Sequence, residues 1–429
     1  MINRRSRYGF SYLYFEVKMK RDLLLIVALI SLISIEGTMA KERTGWGWGG
    51  VPAINYNADE GFGYGMIFDI FNYAKGGYSP YYFKIDNQIF FTTGGKQDHT
   101  IFFDSPYILG NGFRISVRTR YKKEKFQPYY GLGNDSKFDP SYIEVDEDGN
   151  SLDSLHGKHY YTFNSEQIIF YTNILKALKY REDGRPLISV LGGLGFYQLG
   201  CGADDNGGIA TKFEEDLNAG ILKKRDTDKS FNDYLKFGLV YDSRDNEPAP
   251  NRGVWTDIVG EWYTGLIGSD NDFLRLTLTD RRYFTLRKNL VYANRIIVEN
   301  IFGEAPLLLY YPLGGSFRID EGVGGYRSIR GAYKNRYVGS AKFIMNMELR
   351  YRFYEFQFAG QDFYLAANAF FDFGRVWHEN DLKGGFTNLH TGKGGGVHIG
   401  WNENFIVYAE MAFNEEAGSQ LYIDIGFLF

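Results

Sequence analysis

The sequence contains very little cysteine and no excess of charge of either sign. One of its 429 residues is a cysteine, Cys201, so the chain cannot form an internal disulfide. Lys and Arg number 48 against 52 Asp and Glu, a net charge of −4 that gives no indication of a nucleic-acid-binding surface. A mean hydropathy of −0.32 is too low for a bundle of apolar membrane helices.

Aromatic residues and glycine are abundant instead. The chain has 36 Phe, 34 Tyr and 6 Trp, so nearly one residue in five is aromatic, and it has 52 glycines. With only 10 prolines, this composition is typical of a folded protein and excludes a disordered or collagen-like chain.

One apolar run lies near the start of the chain. Residues 23–35 (LLLIVALISLISI) follow two basic residues and precede the small-residue sequence at 38–40. At ~1.5 Å per residue this run is about 20 Å long, shorter than a ~30 Å bilayer core, so we predict a secretory signal peptide at 1–40 rather than a membrane anchor. Translation from Met19, just before the charged residues, would make 1–18 an upstream extension.

Apolar and polar residues alternate through the remaining chain, from residue 41 to residue 429. In 342–351, Lys342, Glu348 and Arg350 fall on one face, and the opposite face carries only Phe, Met, Leu and Tyr. The same division recurs at 235–242. This period of two residues predicts β-strands whose one face is apolar and whose other face is largely charged.

Alternation alone fits a soluble β-sandwich as well as a membrane barrel. The predicted signal peptide, strands of about ten to fifteen residues and aromatic residues at strand ends favour the barrel. We count about sixteen strands, with fourteen and eighteen as alternatives. The three longest connections, near 124–157, 200–230 and 303–340, each follow an odd-numbered strand and so share one side of the membrane. We therefore predict an all-β fold, a transmembrane antiparallel β-barrel spanning 41–429.

Sequence landmarks in the second half of the chain narrow the fold to a family. Four occur in order, at 241–253 (YDSRDN to PNRG), 324–333 (GGYRSIRGAY), 346–350 (NMELR) and 370–377 (FFDFGRVW). Together they resemble the BamA/TamA superfamily, the bacterial surface antigen barrels, whose loop motif is written V/I-R-G-F/Y. This chain has Ala332 at the aromatic position, followed by Tyr333. The resemblance rests on sequence motifs in 230–429 and only on the spacing of predicted strands in 46–230.

The resemblance implies that the long loop folds back into the barrel lumen. It places Arg330 against carboxylates of the wall, here Glu348 and Asp372, with Gly331 and Tyr333 in the same loop motif. The alternation agrees, because both carboxylates fall on the predicted lumen face. A planar guanidinium is well suited to carboxylate partners in a confined lumen. The alternative is an arginine on a solvated loop.

The resemblance also implies a location and a role. It implies the outer membrane of a Gram-negative bacterium and a part in outer-membrane biogenesis, by insertion or translocation of protein or lipid. Family members that insert or secrete proteins carry POTRA domains before the barrel, whereas about five residues separate residue 40 from the first predicted strand. We therefore expect a variant without POTRA domains, partnered by outer-membrane lipid and a periplasmic or POTRA-bearing protein, not by nucleic acid. The alternative is a passive pore or structural barrel plugged by its own loop.

The first and last predicted strands concern the closing seam. The last strand, 419–429, alternates up to Phe427 and Phe429 and resembles the C-terminal sorting signal of outer-membrane barrels. The first, 45–58, contains four glycines and Pro52, which weaken strand pairing. A soft seam would suit a lateral gate that pairs with an incoming strand. Ordinary fraying of a terminal strand is the alternative.

The sequence does not predict a catalytic or metal centre. His156 and His159 lie in a loop with no third ligand nearby. The acidic runs at 146–148 and 204–205 do not follow an EF-hand register. Because no serine, histidine and acid form a recognisable set, we expect neither enzyme activity nor a cofactor.

Overall fold

The computed structural model describes most of the chain beyond its first 43 residues. The described ranges are 44–57, 61–78, 81–146, 149–247, 249–316, 322–358, 361–378, 384–401 and 405–429. The signal peptide predicted at 1–40 lies outside the described residues.

Within these residues, sixteen strands form one antiparallel sheet in chain order. They are β1 Trp46–Asn57, β2 Gly61–Asn72, β3 Phe83–Thr92, β4 Gln97–Ser105, β5 Phe113–Pro128, β6 Thr162–Tyr180, β7 Pro186–Ala203, β8 Ser230–Asp242, β9 Gly253–Tyr263, β10 Phe273–Arg287, β11 Leu290–Gly303, β12 Ala341–Phe358, β13 Gln361–Trp377, β14 His390–Trp401, β15 Phe405–Asn414 and β16 Gly418–Ile425. No ladder joins β1 to β16 in the part of the chain that is described. The predicted strand number is confirmed.

The alternation in the sequence gives the sheet two unlike faces. On β8, Leu235, Phe237 and Leu239 are 39%, 49% and 53% exposed, whereas Lys236 between them is buried. On β12, Leu349 is exposed and its neighbour Glu348 is buried. An apolar outer face with a charged inner face is the pattern of a barrel that has hydrocarbon outside and a polar lumen.

The connections divide the barrel into two ends. The long connections 129–161, 204–229 and 304–340 follow β5, β7 and β11 and lie at the long-loop end. Connections such as 288–289 lie at the opposite, short-turn end. The prediction that the longest connections share one end is confirmed.

Loop segments and wall tyrosines fill the lumen towards the long-loop end. Helix α2, Leu307–Tyr310, packs in one buried cluster with Tyr234 and Tyr263 of the wall. Helix α1, Lys212–Asn218, starts at a capping box between Thr211 and Glu214. Short 3₁₀ turns occur at Pro140–Ile143, Lys224–Asp226 and Gly265–Ile267. None of the helices in the described ranges is long and apolar enough to cross a bilayer.

The chain leaves the sheet earlier than the sequence predicted. β16 ends at Ile425, and Gly426 adopts a φ of +90°, a left-handed conformation that suits glycine. Phe427 and Phe429 then pack against lumen-facing residues at the short-turn end, in two separate clusters. The prediction that the last strand extends to residue 429 is therefore wrong, because the chain turns at Gly426 and the rings of Phe427 and Phe429 enter the lumen instead of following the seam.

Candidate functional site

The end of the 304–340 connection, which we call the inserted loop, folds on itself before it meets the wall. Val323 forms an isolated antiparallel bridge with Tyr337. The Ser328 hydroxyl accepts a 2.9 Å hydrogen bond from the Gly324 amide and donates to the Gly322 carbonyl at 2.7 Å. Satisfying these backbone groups internally lets the loop enter the lumen without leaving them unpaired.

An apolar surface of the inserted loop packs onto the barrel wall. Ile329 and Ala332 join a buried cluster that includes Ile344 of β12 and Val376 of β13. These contacts press the loop against the wall on both sides of Arg330. The guanidinium is therefore positioned by packing as well as by its own polar contacts.

Arg330 lies at the centre of a buried group of carboxylates. Its Nε and Nη2 donate to the two oxygens of Asp372 at 2.7 and 2.9 Å, and its backbone amide donates to the same side chain. Nη1 donates to Glu348 at 2.5 Å and to Glu410 at 3.2 Å. The guanidinium also lies 3.5 Å from the centre of the Phe370 ring. It thus combines a bidentate carboxylate pair with a cation–π contact.

Neighbouring side chains hold these carboxylates in place. Arg350 Nε donates to the second oxygen of Glu348 at 2.7 Å. Asn346 donates to Asp372 at 2.8 Å, and Asn368 donates to Glu410 at 2.6 Å. Because Arg330, Glu348 and Asp372 are each at most 1% exposed, removing any one deprives a buried charge of one of its partners.

Two glycines allow the inserted loop to approach the wall this closely. A Cβ on Gly392 of β14 would collide with the backbone carbonyl of Arg330. Gly331 has a φ of +95°, and a Cβ there would lie 2.9 Å from the Phe413 backbone. The approach therefore depends on the absence of side chains at both positions.

The inserted loop also contacts the last two strands. Arg327 pairs with Asp424 of β16 at 2.8 Å, and the Tyr422 hydroxyl accepts from the Gly331 amide at 3.0 Å. Arg336 forms a bidentate pair with Glu416 in the β15–β16 turn, at 2.6 and 2.7 Å. These contacts hold one side of the seam against the loop.

A further group of charges joins the inserted loop to the opposite wall. Lys334 lies 3.2 Å from Glu124 of β5, whose carboxylate is also 3.2 Å from Lys96 and 3.0 Å from Lys122. One buried carboxylate is therefore shared by ammonium groups from the loop, from β5 and from the β3–β4 turn.

The beginning of the 304–340 connection is fixed by Asp226 in the 204–229 connection. The Asp226 carboxylate accepts from the amides of Leu307 and Lys223, both at 2.7 Å. Burial raises the pKa of Asp226 although these hydrogen bonds favour its ionised form. The two long connections are therefore joined directly.

The residues predicted for the site do not all lie together. Arg330, Gly331, Glu348 and Asp372 meet in the lumen, but Tyr333 lies in an aromatic cluster with Tyr130 and Phe138 at the long-loop end. Ala332, the residue before Tyr333, packs against the wall in the cluster with Ile344 and Val376.

Sequence reasoning missed several partners of the site. Glu410, Asn346, Asn368, Arg350 and Tyr422 all take part. Glu410 was detectable in principle, because it is a single acidic residue in the apolar alternation of β15. Its proximity to Arg330 was not, since 80 residues separate the two in sequence.

The histidines considered as metal ligands lie apart from this site. His156 pairs with Asp153 at 2.8 Å and stacks on Tyr142, and His159 stacks on Phe126. Within the described ranges no group of three or more His, Cys, Asp or Glu side chains is placed to hold a metal ion.

Comparison with known proteins agrees with the architecture. BamA from Haemophilus ducreyi lacking POTRA domains 1–3 is similar, with 14% identity and a TM-score of 0.55, over 90% of this chain and 70% of that one. CdiB from Escherichia coli is similar with 10% identity and a TM-score of 0.55, over 91% of this chain and 63% of that one. The chain thus spans about two thirds of the length of these two proteins. No curated protein matches its sequence.

A family model identifies the relationship more directly than these distant folds do. The model of the Omp85 superfamily domain matches residues 88–407, about three quarters of the chain. The resemblance predicted from four sequence landmarks is confirmed. The chain belongs to the Omp85 superfamily.

Proposed function

We propose that this protein is an outer-membrane barrel of Gram-negative bacteria that acts in biogenesis of that membrane, by insertion or translocation of protein or lipid. Family membership supports this class of function. The exposed apolar outer face supports a lipid environment.

The observation that carries the proposal is the arrangement of the inserted loop. Arg330 fastens the loop inside the lumen, and Arg327 and Gly331 connect it to β16 at the seam. A loop that fills the lumen and contacts an edge strand suits a barrel that works at its seam on lipid or on another chain. In this proposal Arg330, Glu348 and Asp372 act as a latch for the loop.

The proposed partners follow from this role. Outer-membrane lipid surrounds the barrel, and a periplasmic or POTRA-bearing protein delivers the substrate. The short-turn end would face this partner, because long loops face outward in barrels of this kind.

Reconstitution tests the proposal. The purified protein in liposomes should accelerate the folding of an unfolded outer-membrane barrel protein, measured as the folded fraction on unheated gels. Arg287→Ala, which removes an exposed arginine at the β10–β11 turn, should match the wild type. Folding should be slower with the Arg330→Ala protein. The proposal would be contradicted if the protein accelerated neither the folding of the barrel substrate nor the transfer of lipid, even when a co-purified periplasmic partner was added.

A cavity gives some support to a second candidate, a passive pore or structural barrel. A cavity of about 730 Å³ opens at the short-turn end, lined by Arg114, Arg181, Arg244 and Trp255, and reaches Ser316 near the inserted loop. Planar-bilayer recording distinguishes the two candidates. Steady conductance of the intact protein would favour the pore, and a closed barrel that opens on Arg330→Ala would indicate a loop plug.

A further inference from the structure

We propose that the 243–252 turn and the 426–429 segment together form a plug at the short-turn end, and that Glu348 and Arg350 couple this plug to the inserted loop. The inference goes beyond the proposed role in biogenesis and does not depend on it. It assigns a second closure to the lumen, at the end opposite the long loops.

The turn between β8 and β9, of which residues 243–247 and 249–252 are described, crosses the mouth of the barrel. Glu247 in the turn contacts Arg114 of β5, with 3.4 Å between Oε1 and Nη1. Two residues later, Ala249 packs against Tyr364 of β13 and Ile406 of β15. Because β5 and β13 are eight strands apart in a sheet of sixteen, these anchors lie on opposite walls. A turn that only joined β8 to β9 would touch neither wall.

Side-chain hydrogen bonds brace the turn at both ends. The Asp245 carboxylate accepts from the backbone amides of Asn251 and Arg252, at 2.9 and 3.2 Å. Arg244 forms a bidentate pair with Asp242 and stacks 4.1 Å from the Trp255 ring. These bonds fix both ends of the turn.

The 426–429 segment completes the plug from the other side. Phe427 packs against the cluster that contains Ala249, and Phe429 packs against Tyr283, Val291 and Ala293. The two segments thus meet at Phe427 and lie across the short-turn end from β13–β15 to β10–β11, beside the cavity lined by Arg114 and Arg244.

Arg350 is the residue that seats the 426–429 segment. Its guanidinium lies 4.1 Å from the Phe427 ring centre and 5.0 Å from that of Phe429, and Nη2 donates to the Phe429 carbonyl at 3.0 Å. One buried cation therefore holds both rings and the backbone of the segment.

Glu348 connects Arg350 to Arg330, the residue that holds the inserted loop. Its Oε1 accepts from Arg330 at 2.5 Å, and its Oε2 accepts from Arg350 at 2.7 Å. A single carboxylate thus fixes one arginine that holds the inserted loop and another that holds the plug. Moving either arginine removes half of the bonds that orient Glu348, so the two closures are not independent.

Conductance in planar bilayers tests the plug. The recordings use the Arg330→Ala protein, so that the inserted loop does not close the other end. In that background Phe427→Ala, which removes the contact between the two plug segments and leaves every remaining charge in place, should raise the open conductance several-fold. Arg350→Ala should raise it at least as much, and Arg287→Ala, at the same end but outside the plug, should leave it unchanged. Equal conductance with and without Phe427→Ala in a folded protein would overturn the plug.

Hydrogen exchange of the inserted loop tests the coupling. Arg350→Ala should accelerate exchange of the 322–337 amides, although Arg350 itself bonds to Glu348 and to the 426–429 segment rather than to the loop. Phe427→Ala, which leaves the Arg350 pair with Glu348 intact, should accelerate it less. Exchange of the loop equal to that of the wild type in Arg350→Ala would overturn the coupling and leave the plug to be judged by its conductance.

Discussion

The wall that carries the inserted loop differs sharply from the strands that flank the seam. β12 and β13 are 18 and 17 residues long and carry Glu348 and Asp372, whereas β16 has 8 residues and no described ladder to β1. Trp46 and Trp48 of β1 are 69% and 77% exposed. The difference shows that β12 and β13 combine long strands with buried ion pairs, whereas the two seam strands are shorter and each keep an edge without a described ladder.

The uneven distribution has a physical rationale. A buried charge must keep its partners, so the residues around Arg330 tolerate little movement. Strand edges with glycine and few packed side chains tolerate more. We therefore expect the loop-bearing wall to act as the rigid part of the molecule and the seam as the adaptable part.

The largest expected effect comes from removing the charge at the centre of the rigid wall. Arg330→Ala leaves Asp372, Glu348 and Glu410 close together without their shared cation, and should lower the free energy of unfolding by about 3–5 kcal/mol. Urea unfolding in vesicles, followed by tryptophan fluorescence, measures the change. Arg287→Ala is the matched control and should change little. An equal loss of unfolding free energy in both variants would show that the ion pairs of Arg330 do not stabilise the wall more than an exposed arginine does.

A smaller loss of stability should follow from adding a side chain where the inserted loop contacts β14, without changing any charge. Gly392→Ala places a Cβ against the Arg330 carbonyl and should cost about 1–3 kcal/mol, because the loop backbone must move away. Gly192→Ala on β7 has open space around its Cβ and serves as the control. The same unfolding experiment compares the two. If Gly392→Ala proved as mild as Gly192→Ala, the loop would be held less tightly than the contacts indicate.

The seam itself can be tested in the wild-type protein. We expect amides of β1 to exchange roughly tenfold faster or more than those of β10–β12, because β1 has a described ladder on one edge and contains several glycines. Hydrogen exchange with mass spectrometry compares the strands directly. Protection of β1 equal to that of the central strands would remove the basis for an adaptable seam.

The smallest expected effect concerns pH at the short-turn end. The Arg114 guanidinium holds the pKa of Glu247 below its usual range, so the pair contributes stability at pH values above the unfolded pKa of about 4.3. That contribution is lost as the pH falls through the lower pKa of the folded state. Exchange of the 243–252 amides should rise on acidification, and Glu247→Gln should remove part of this rise. An identical pH profile in both proteins would show that the pair does not hold the turn.

The fold was largely predictable because its signal repeats. Each strand such as β12 shows the same alternation, so sixteen weak patterns gave a strand number that the structure confirms. The exception is the end of β16, where one glycine conformation at Gly426 outweighed the apolar alternation of the sequence.

The site was predictable only where a motif or strand parity pointed to it. Arg330, Glu348 and Asp372 came from the family landmarks and from the lumen-facing parity of β12 and β13. Tyr422 and Arg350 could not be assigned, because their roles depend on how the loop and the 426–429 segment lie inside the lumen. Alternation reports which face a side chain occupies and not which distant residue it meets.

The shared carboxylate of Glu124 suggests how the two attachments of the inserted loop differ in response to ionic strength. Its lysine partners Lys96 and Lys334 keep 17% and 32% of their side chains accessible, so dissolved ions reach and screen this attachment. The Arg330 attachment is almost fully enclosed and escapes such screening. Concentrated salt should therefore weaken the ion pairs between the loop and β5 first and leave those between the loop and β12 and β13 intact.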